Sequence, residues 1–417
     1  MGDRAFINQS YGGRQSLLDG EAIQSAMGAV QGNAGYPALA ALQRMKSART
    51  NAQGVPIVMD VGDRPTITSY TSADTSISVN YALTYNTNRD KIYSGGGKLV
   101  DYSGGGLFGA SVSTGSNLNA GQYQEAVFHE VETASPIIEF RIFRQSTTRC
   151  RILSRASSSA PWKYAHTGLI TMDTTAAGTS VKVAYASPLA GRQTRIEFAA
   201  YTGDGGTASI LTAFRVSSGY TAAAPSIRTA PNKICVLADS FGQGGNALFA
   251  GDGFAQLLGW QLNAEVTNSG IGGTGLIANT GGTQLALTAR LDDAIQQDFT
   301  AFIPAMGTND VSPNISVQPS DITAAANAVI AGLQARNPLA PQFWITPWDL
   351  EAPSALASNK AVVRDAIKAA TAGKSGVYTL DPTGVVFTQT SLHPDTAGHL
   401  TLSNWVSGQI ASILATI

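Results

Sequence analysis

A serine hydroxyl stands at the end of an apolar run, Ile234-Cys235-Val236-Leu237-Ala238-Asp239-Ser240, directly before Phe241-Gly242 and a glycine-rich stretch. Asn268-Ser269-Gly270-Ile271-Gly272-Gly273-Thr274 closes a second apolar run, and Met306-Gly307-Thr308-Asn309-Asp310 a third. Leu392-His393-Pro394-Asp395 follows about 150 residues after the serine, with Ala397-Gly398-His399 opening a last helical segment. Acyl transfer needs a nucleophile, a base within hydrogen-bond reach, and donors aimed where a carbonyl oxygen gains charge. A serine, a histidine, a glycine amide and an asparagine amide are groups of those kinds. The chain has only four histidines. His129 and His166 fall in β-patterned sequence, so the base for Ser240 is expected to be His393 or His399. His399 lies beside Gly398 in the helix, where packing or a hydrogen bond is its expected role. Asp310 is expected to hold its own loop together.

The elements that must position these groups follow from periodicity. From about Lys233, apolar runs at 233–238, 264–267, 299–306, 342–347 and 377–380 alternate with helical stretches near 246–259, 284–298, 320–336, 356–372 and 396–416. Such alternation predicts a parallel sheet with helices on both faces. In an open sheet of this kind, ligands bind at the carboxyl ends of the strands, where Ser240, Asn268–Thr274 and Asn309 fall. Upstream, from about Ile57, short alternating runs recur at 76–81, 137–143, 150–153, 181–185 and 195–198, separated by Gly-, Ser-, Thr- and Asn-rich turns. They predict an all-β sandwich or jelly roll. The domains expected are thus an N-terminal arm over 1–56, a β-sandwich over 57–224 and an α/β domain over 225–417. Thr221–Pro225 is the linker. Within the arm, a helix is predicted over Pro37–Arg49, too short for its own core and expected to pack on a neighbour or on another subunit.

Other readings stand beside the acyl-transfer one. Ser240 could be a helix N-cap. Gly270-Ile271-Gly272-Gly273-Thr274-Gly275 satisfies the dinucleotide fingerprint, with Asp292 and Asp293 near the ribose-binding spacing. It should then lead directly into a helix, whereas irregular sequence follows. Arg141, Arg144, Arg149, Arg151 and Arg155 form a basic stretch that reads as a solvated sheet face or as a surface for an acidic polysaccharide. Tyr123, Trp162 and Tyr164 could stack on sugar rings or be buried. No Cys/His grouping has metal-ligand spacing, so no metal and no cofactor is expected.

Taken together, the four segments resemble the conserved blocks of the SGNH (GDSL-like) hydrolases over about residues 233–417. Ala238-Asp239-Ser240 is similar to the family's Gly-Asp-Ser block, with alanine in place of glycine. Asn268–Thr274 resembles the second block, Gly307–Asp310 the third and His393-Pro394 the last. The resemblance implies a flavodoxin-like sheet, Ser240 as nucleophile, His393 as base, and an oxyanion hole from the Ser240 amide, the Gly273 amide and the Asn309 side chain. It departs at one place. The family's acid three residues before the histidine is replaced here by Thr390. Losing that acid costs about 10⁴ in rate in a well-studied triad. Asp381 or Asp395 could reach the ring instead, but a Ser-His dyad is the expected arrangement. Some SGNH branches work that way, including polysaccharide deacetylases with an N-terminal β-sandwich. The implied function is ester hydrolysis, with O-deacetylation of a polysaccharide as the expected reaction. The alternative is a carbohydrate-binding or phage-virion structural protein with a degenerate hydrolase domain.

Composition narrows the partners. Only 13% of residues are charged, against roughly 25% in typical soluble domains. That character is common among secreted and virion surface proteins. A net charge of −1 provides no field to attract nucleic acid or an anionic membrane. No stretch of 18 apolar residues exists and no signal-peptide core follows Met1, so neither a membrane span nor a conventional export signal is expected. Cys235 reads as a small buried residue, and a disulfide with Cys150 is not expected. An acylated carbohydrate or small ester is the expected ligand, and the arm leaves a homo-oligomer open.

Overall fold

A computed structural model describes residues 38–50, 52, 54–70, 77, 79–83, 88–95, 98–101, 107–110, 126–143, 148–172, 179–199, 210–225, 232–278, 285–294, 298–311, 318–348, 358–390 and 392–417. Tyr123, Arg144 and the arm before residue 38 lie outside the described residues.

The C-terminal part is a doubly wound α/β unit. Its strands are β1 (Asn232–Ala238), β2 (Ala264–Gly270), β3 (Ala301–Ala305), β4 (Gln342–Ile345) and β5 (Val377–Leu380). All neighbours pair in parallel, in the order β2-β1-β3-β4-β5. This is the flavodoxin-like order, whose switch point lies between β1 and β3. Side chains of β1 alternate between two cores. Ile234, Val236 and Ala238 pack on one face with helices α2 (Phe254–Leu262) and α6 (Thr396–Ala415). Cys235 and Leu237 pack on the other with α3 (Leu287–Ala294), α4 (Pro319–Arg336) and α5 (Ser358–Thr371). A strand covered on both sides must be apolar throughout, which is why Ile234–Ala238 contains no polar residue. The helix of the arm, α1 (Leu39–Thr50), joins the first of these cores through Leu42 and Met45 and lies against α6. Its neighbour is therefore within its own chain.

Among the described residues the N-terminal part forms two sheets of eight and seven strands, antiparallel except where Ile57–Val58 pairs in parallel with Lys163–Tyr164. Val131, Ile152 and Ile196 of one sheet meet Ile138, Phe140, Val181 and Phe214 of the other in a shared core. The fold class is thus α/β, preceded by a β-sandwich. Both cysteines are buried and free. No helix among the described residues is long and apolar enough to cross a membrane.

Two expected elements differ. Ala222–Ala223, inside the expected linker Thr221–Pro225, pair with Thr133 and Glu132 as part of the sandwich. Helical sequence near 246–259 becomes turns through Asn246, a short 3₁₀ turn at Ala250–Asp252, and a helix only from Phe254. Gly244 and Asn246 take φ of 82° and 65°, which a right-handed helix does not admit. Since no helix starts at Ser240, its N-cap reading falls.

Candidate active site

The strand exits bring three of the four segments to one rim. Ser240 follows β1 in a turn fixed by backbone bonds: Gln243 N–H donates to Asp239 O (3.0 Å), Gly245 N–H to Ser240 O (2.9 Å), and Ile271 N–H to Ala238 O (3.0 Å). The buried Asp239 carboxylate accepts from Phe241 N–H at 2.9 Å. Burial raises its pKa to about 7, with the Phe241 bond pulling the other way. Asn268, buried at the end of β2, donates to Gly242 O (2.5 Å) and accepts from Gly270 N–H (3.0 Å). It therefore stitches the second segment to the turn that carries Ser240.

His393 arrives from the other end of the domain, on a short hairpin pairing Gln389–Thr390 with His393–Pro394. Its Nε2 lies 2.8 Å from Ser240 Oγ. The imidazole rests on Gly245, where an added Cβ would stand 3.0 Å from His393 Cδ2, and it faces the Phe241 ring at 5.8 Å. Partial burial lowers its pKa below the ordinary 6.5, so at neutral pH the ring is uncharged and able to take a proton.

Among the described residues no carboxylate bonds this imidazole. Asp381 is held by Lys368 Nζ (2.9 Å) and by the amide and hydroxyl of Thr383 (3.0 and 2.6 Å). Burial pulls its pKa up, but those bonds outweigh it and the net shift is downward. Asp395 caps α6, accepting from Gly398 N–H (2.8 Å) and Thr388 Oγ1 (2.5 Å). The Thr388 bond, then the Gly398 amide, lower its pKa.

Gly273 sits in the turn after β2 with φ of 74°, a conformation that glycine adopts without strain. Asn309 lies in the 3₁₀ turn Thr308–Val311 after β3. Its Nδ2 donates to Thr274 O at 2.9 Å and reaches Asp239 Oδ2 at 3.4 Å. Asp310 holds a different loop from the one expected. Its carboxylate accepts from the amides of Leu276, Ile277 and Ala278 at 2.8–3.0 Å, anchoring the segment that leaves Gly273. His399 accepts from Phe254 N–H at Nδ1 (3.3 Å), so Nε2 carries its proton and donates to Gly245 O (2.9 Å). The described residues directly after Gly275, Leu276–Ala278, are bend and coil with no helix, contrary to the dinucleotide geometry, in which a helix follows at once.

Two contributors escaped the sequence. Arg290 of α3, fully buried, donates to Ser269 O and Oγ (3.0 Å each) and to Ala238 O (3.1 Å), tying together the ends of β1 and β2. A lone arginine inside a helix carries no local pattern that could have revealed it. Arg151 is the other. It is buried, pairs with Glu197 and with Asp252 beyond β1, and sits over the rings of Tyr164 and Phe249. Neither the solvated nor the polysaccharide-binding reading holds for it. Arg155 is likewise buried, over the Trp162 ring, while Arg141 and Arg149 remain exposed.

Residues 239–400 match the model of the GDSL-like Lipase/Acylhydrolase family. No curated protein sequence matches the chain. Among solved structures, a family two carbohydrate esterase from Clostridium thermocellum in complex with cellohexaose is similar at 14% identity and a TM-score of 0.57, covering 78% of this chain and 100% of that one. An acetyl xylan esterase from the rumen bacterium Butyrivibrio proteoclasticus is similar at 13% identity and a TM-score of 0.55, covering 84% and 99%. A salicylyl-acyltransferase from a tetracycline biosynthetic pathway is similar at 14% identity and a TM-score of 0.60, covering 81% and 98%.

Proposed function

The C-terminal part of this chain is a GDSL-like acylhydrolase domain, and from that premise we propose a serine esterase that removes O-acetyl groups from a carbohydrate through a Ser240–His393 dyad. The carrying observation is the 2.8 Å contact between Ser240 Oγ and His393 Nε2, from residues 153 positions apart. His393 Nε2 takes the hydroxyl proton as Ser240 Oγ bonds to the ester carbonyl carbon. The carbonyl oxygen becomes an oxyanion received by the amides of Ser240 and Gly273 and by Asn309 Nδ2. The long 3.4 Å contact of Nδ2 to Asp239 is the one that yields. The bond to the sugar oxygen then breaks, and His393 returns the proton to that oxygen. Water attacks the acyl-serine with His393 again as base, releasing acetate and restoring the hydroxyl.

Among the described residues no carboxylate meets the imidazole, so the dyad is expected to be slower than a full triad. The carbohydrate substrate is supported by the preceding β-sandwich, the low-charge composition and the carbohydrate esterases that share the fold. Acetate release from a panel of acetylated polysaccharides tests it. Release from at least one member, abolished by Ser240→Ala, is the expected result. No release from any member, with Ser240 still reactive, removes the acetylated carbohydrate from the account. An unreactive Ser240 favours a binding or virion structural protein with a degenerate site.

A further inference from the structure

The loop between Ser240 and α2 is tied at both ends and in the middle. At its start, Gly245 N–H bonds Ser240 O, and Gly245 is the surface on which His393 lies. In its middle, Leu248 N–H donates to Thr396 Oγ1 at 3.0 Å. His399 bridges Gly245 O to Phe254 N–H. The remaining stretch, Phe249–Asp252, is gripped from outside the hydrolase part. Arg151, on sandwich strand Thr148–Arg155, bonds Asp252 Oδ1 at 2.5 Å and Glu197 Oε2 at 3.2 Å. Its guanidinium lies 4.4 Å from the Phe249 ring centroid and 4.8 Å from that of Tyr164. It also fills the space beside Gly251, where an added Cβ would collide with Nη2. Arg195 of the same sheet pairs with Glu130 and Glu197 and reaches over Trp260 of α2 at 4.7 Å. Tyr93 Oη donates to Glu265 of β2 at 2.7 Å.

Burying a charged pair is costly unless the geometry is close and further bonds complete it. A planar guanidinium whose two terminal nitrogens are held by two carboxylates, between two rings, offsets that cost although its Nε is buried without a bond among the described residues, and lysine does not reproduce the arrangement. We propose that Arg151 is a positioning residue for the esterase: through Asp252 and Phe249 it fixes the far end of the nucleophile loop, and thus the seat of the His393 imidazole. The sandwich is then a working part of the active centre as well as an accessory. This rests on the Ser240–His393 reading of the site.

The test compares Asp252→Asn, Arg151→Lys and their double variant on p-nitrophenyl acetate, with kcat expressed per serine titrated by a fluorophosphonate. A displacement of about 1 Å at reacting groups can cost on the order of 10²-fold. Each single variant is therefore expected to lose about 10- to 100-fold in kcat with KM within about twofold, and the double variant to lose no more than the worse single one. Gly251→Ala, which displaces the guanidinium without touching its charge, is expected to act alike. A role in folding alone would lower the titratable fraction and leave kcat per titrated site at the wild-type value; that result overturns the proposal. If Ser240→Ala is inactive while Asp252→Asn turns over normally per site, only this proposal fails. If Ser240→Ala retains turnover, the underlying assignment fails.

Discussion

Ser240 Oγ lies beside an imidazole whose pKa burial lowers, and the proposed dyad uses that ring as its base. Because the His393 pKa is lowered from 6.5, the protonated, inactive form appears only below the ordinary histidine range. The acid limb of kcat/KM is therefore expected below pH 6.5, and a midpoint above that value would contradict a desolvated base. Asn309→Ala removes one proposed oxyanion donor and is expected to lower kcat by about 10²–10³ with the enzyme still measurable. Asp239 supplies a stability signature. Its folded pKa of about 7 lies above the usual 3.8, so its stabilising protonated form is present below 3.8 and lost as pH rises through 7. Asp239→Asn escapes that loss, and its stability relative to wild type should be roughly 2–3 kcal/mol higher at pH 8 than at pH 5, as read by urea unfolding. Ser240 and Asn309 were legible as candidates because polar residues at strand exits have few other uses, and His393 because the α/β sequence offers only two histidines. Arg290 was not, since two of its partners are backbone carbonyl groups that any sequence provides.

At the scale of elements, the rim depends on loops cross-braced by buried side chains. Asp310 satisfies three amides of the Leu276–Ala278 segment, and Gly275 must lack a side chain because the Asp310 carboxylate occupies that space. Asp310→Ala leaves three inward-facing donors without their acceptor. It is expected to cost about 3 kcal/mol in stability and to lower kcat, since the same segment leads away from Gly273. Differential unfolding and initial rates on one preparation check both. The parallel strands β1 and β3 were readable from their apolar runs, β2, β4 and β5 from short runs alternating with helical stretches, and α4 and α6 from their length. The stretch 246–253 was misread as helix because hydrophobic spacing persists there while Gly244 and Asn246 divert the backbone. Periodicity records which residues face inward and is silent about positive φ.

Across the whole molecule, distant parts of the chain share one core. Leu42 of the arm lies in the same cluster as Val406 and Ile410 near the C terminus. Leu42→Ala is expected to destabilise the hydrolase part by about 2–5 kcal/mol, although it lies far from the chemistry; unchanged thermal unfolding would show that the helix only decorates the surface. The basic strand at 148–155 was the least legible feature, because burial of Arg151 depends on Asp252 and Phe249, about 100 positions away. Alternation located its face, and only the docked hydrolase says what covers it. The most direct measurement is the intact mass of the full chain after reaction with a fluorophosphonate, for wild type, His393→Ala and Ser240→Ala. One adduct on the wild type, formed far more slowly without His393 and absent without Ser240, is the predicted result. A wild-type chain that gains no mass, or gains it equally when Ser240 is replaced, would contradict the Ser240–His393 dyad.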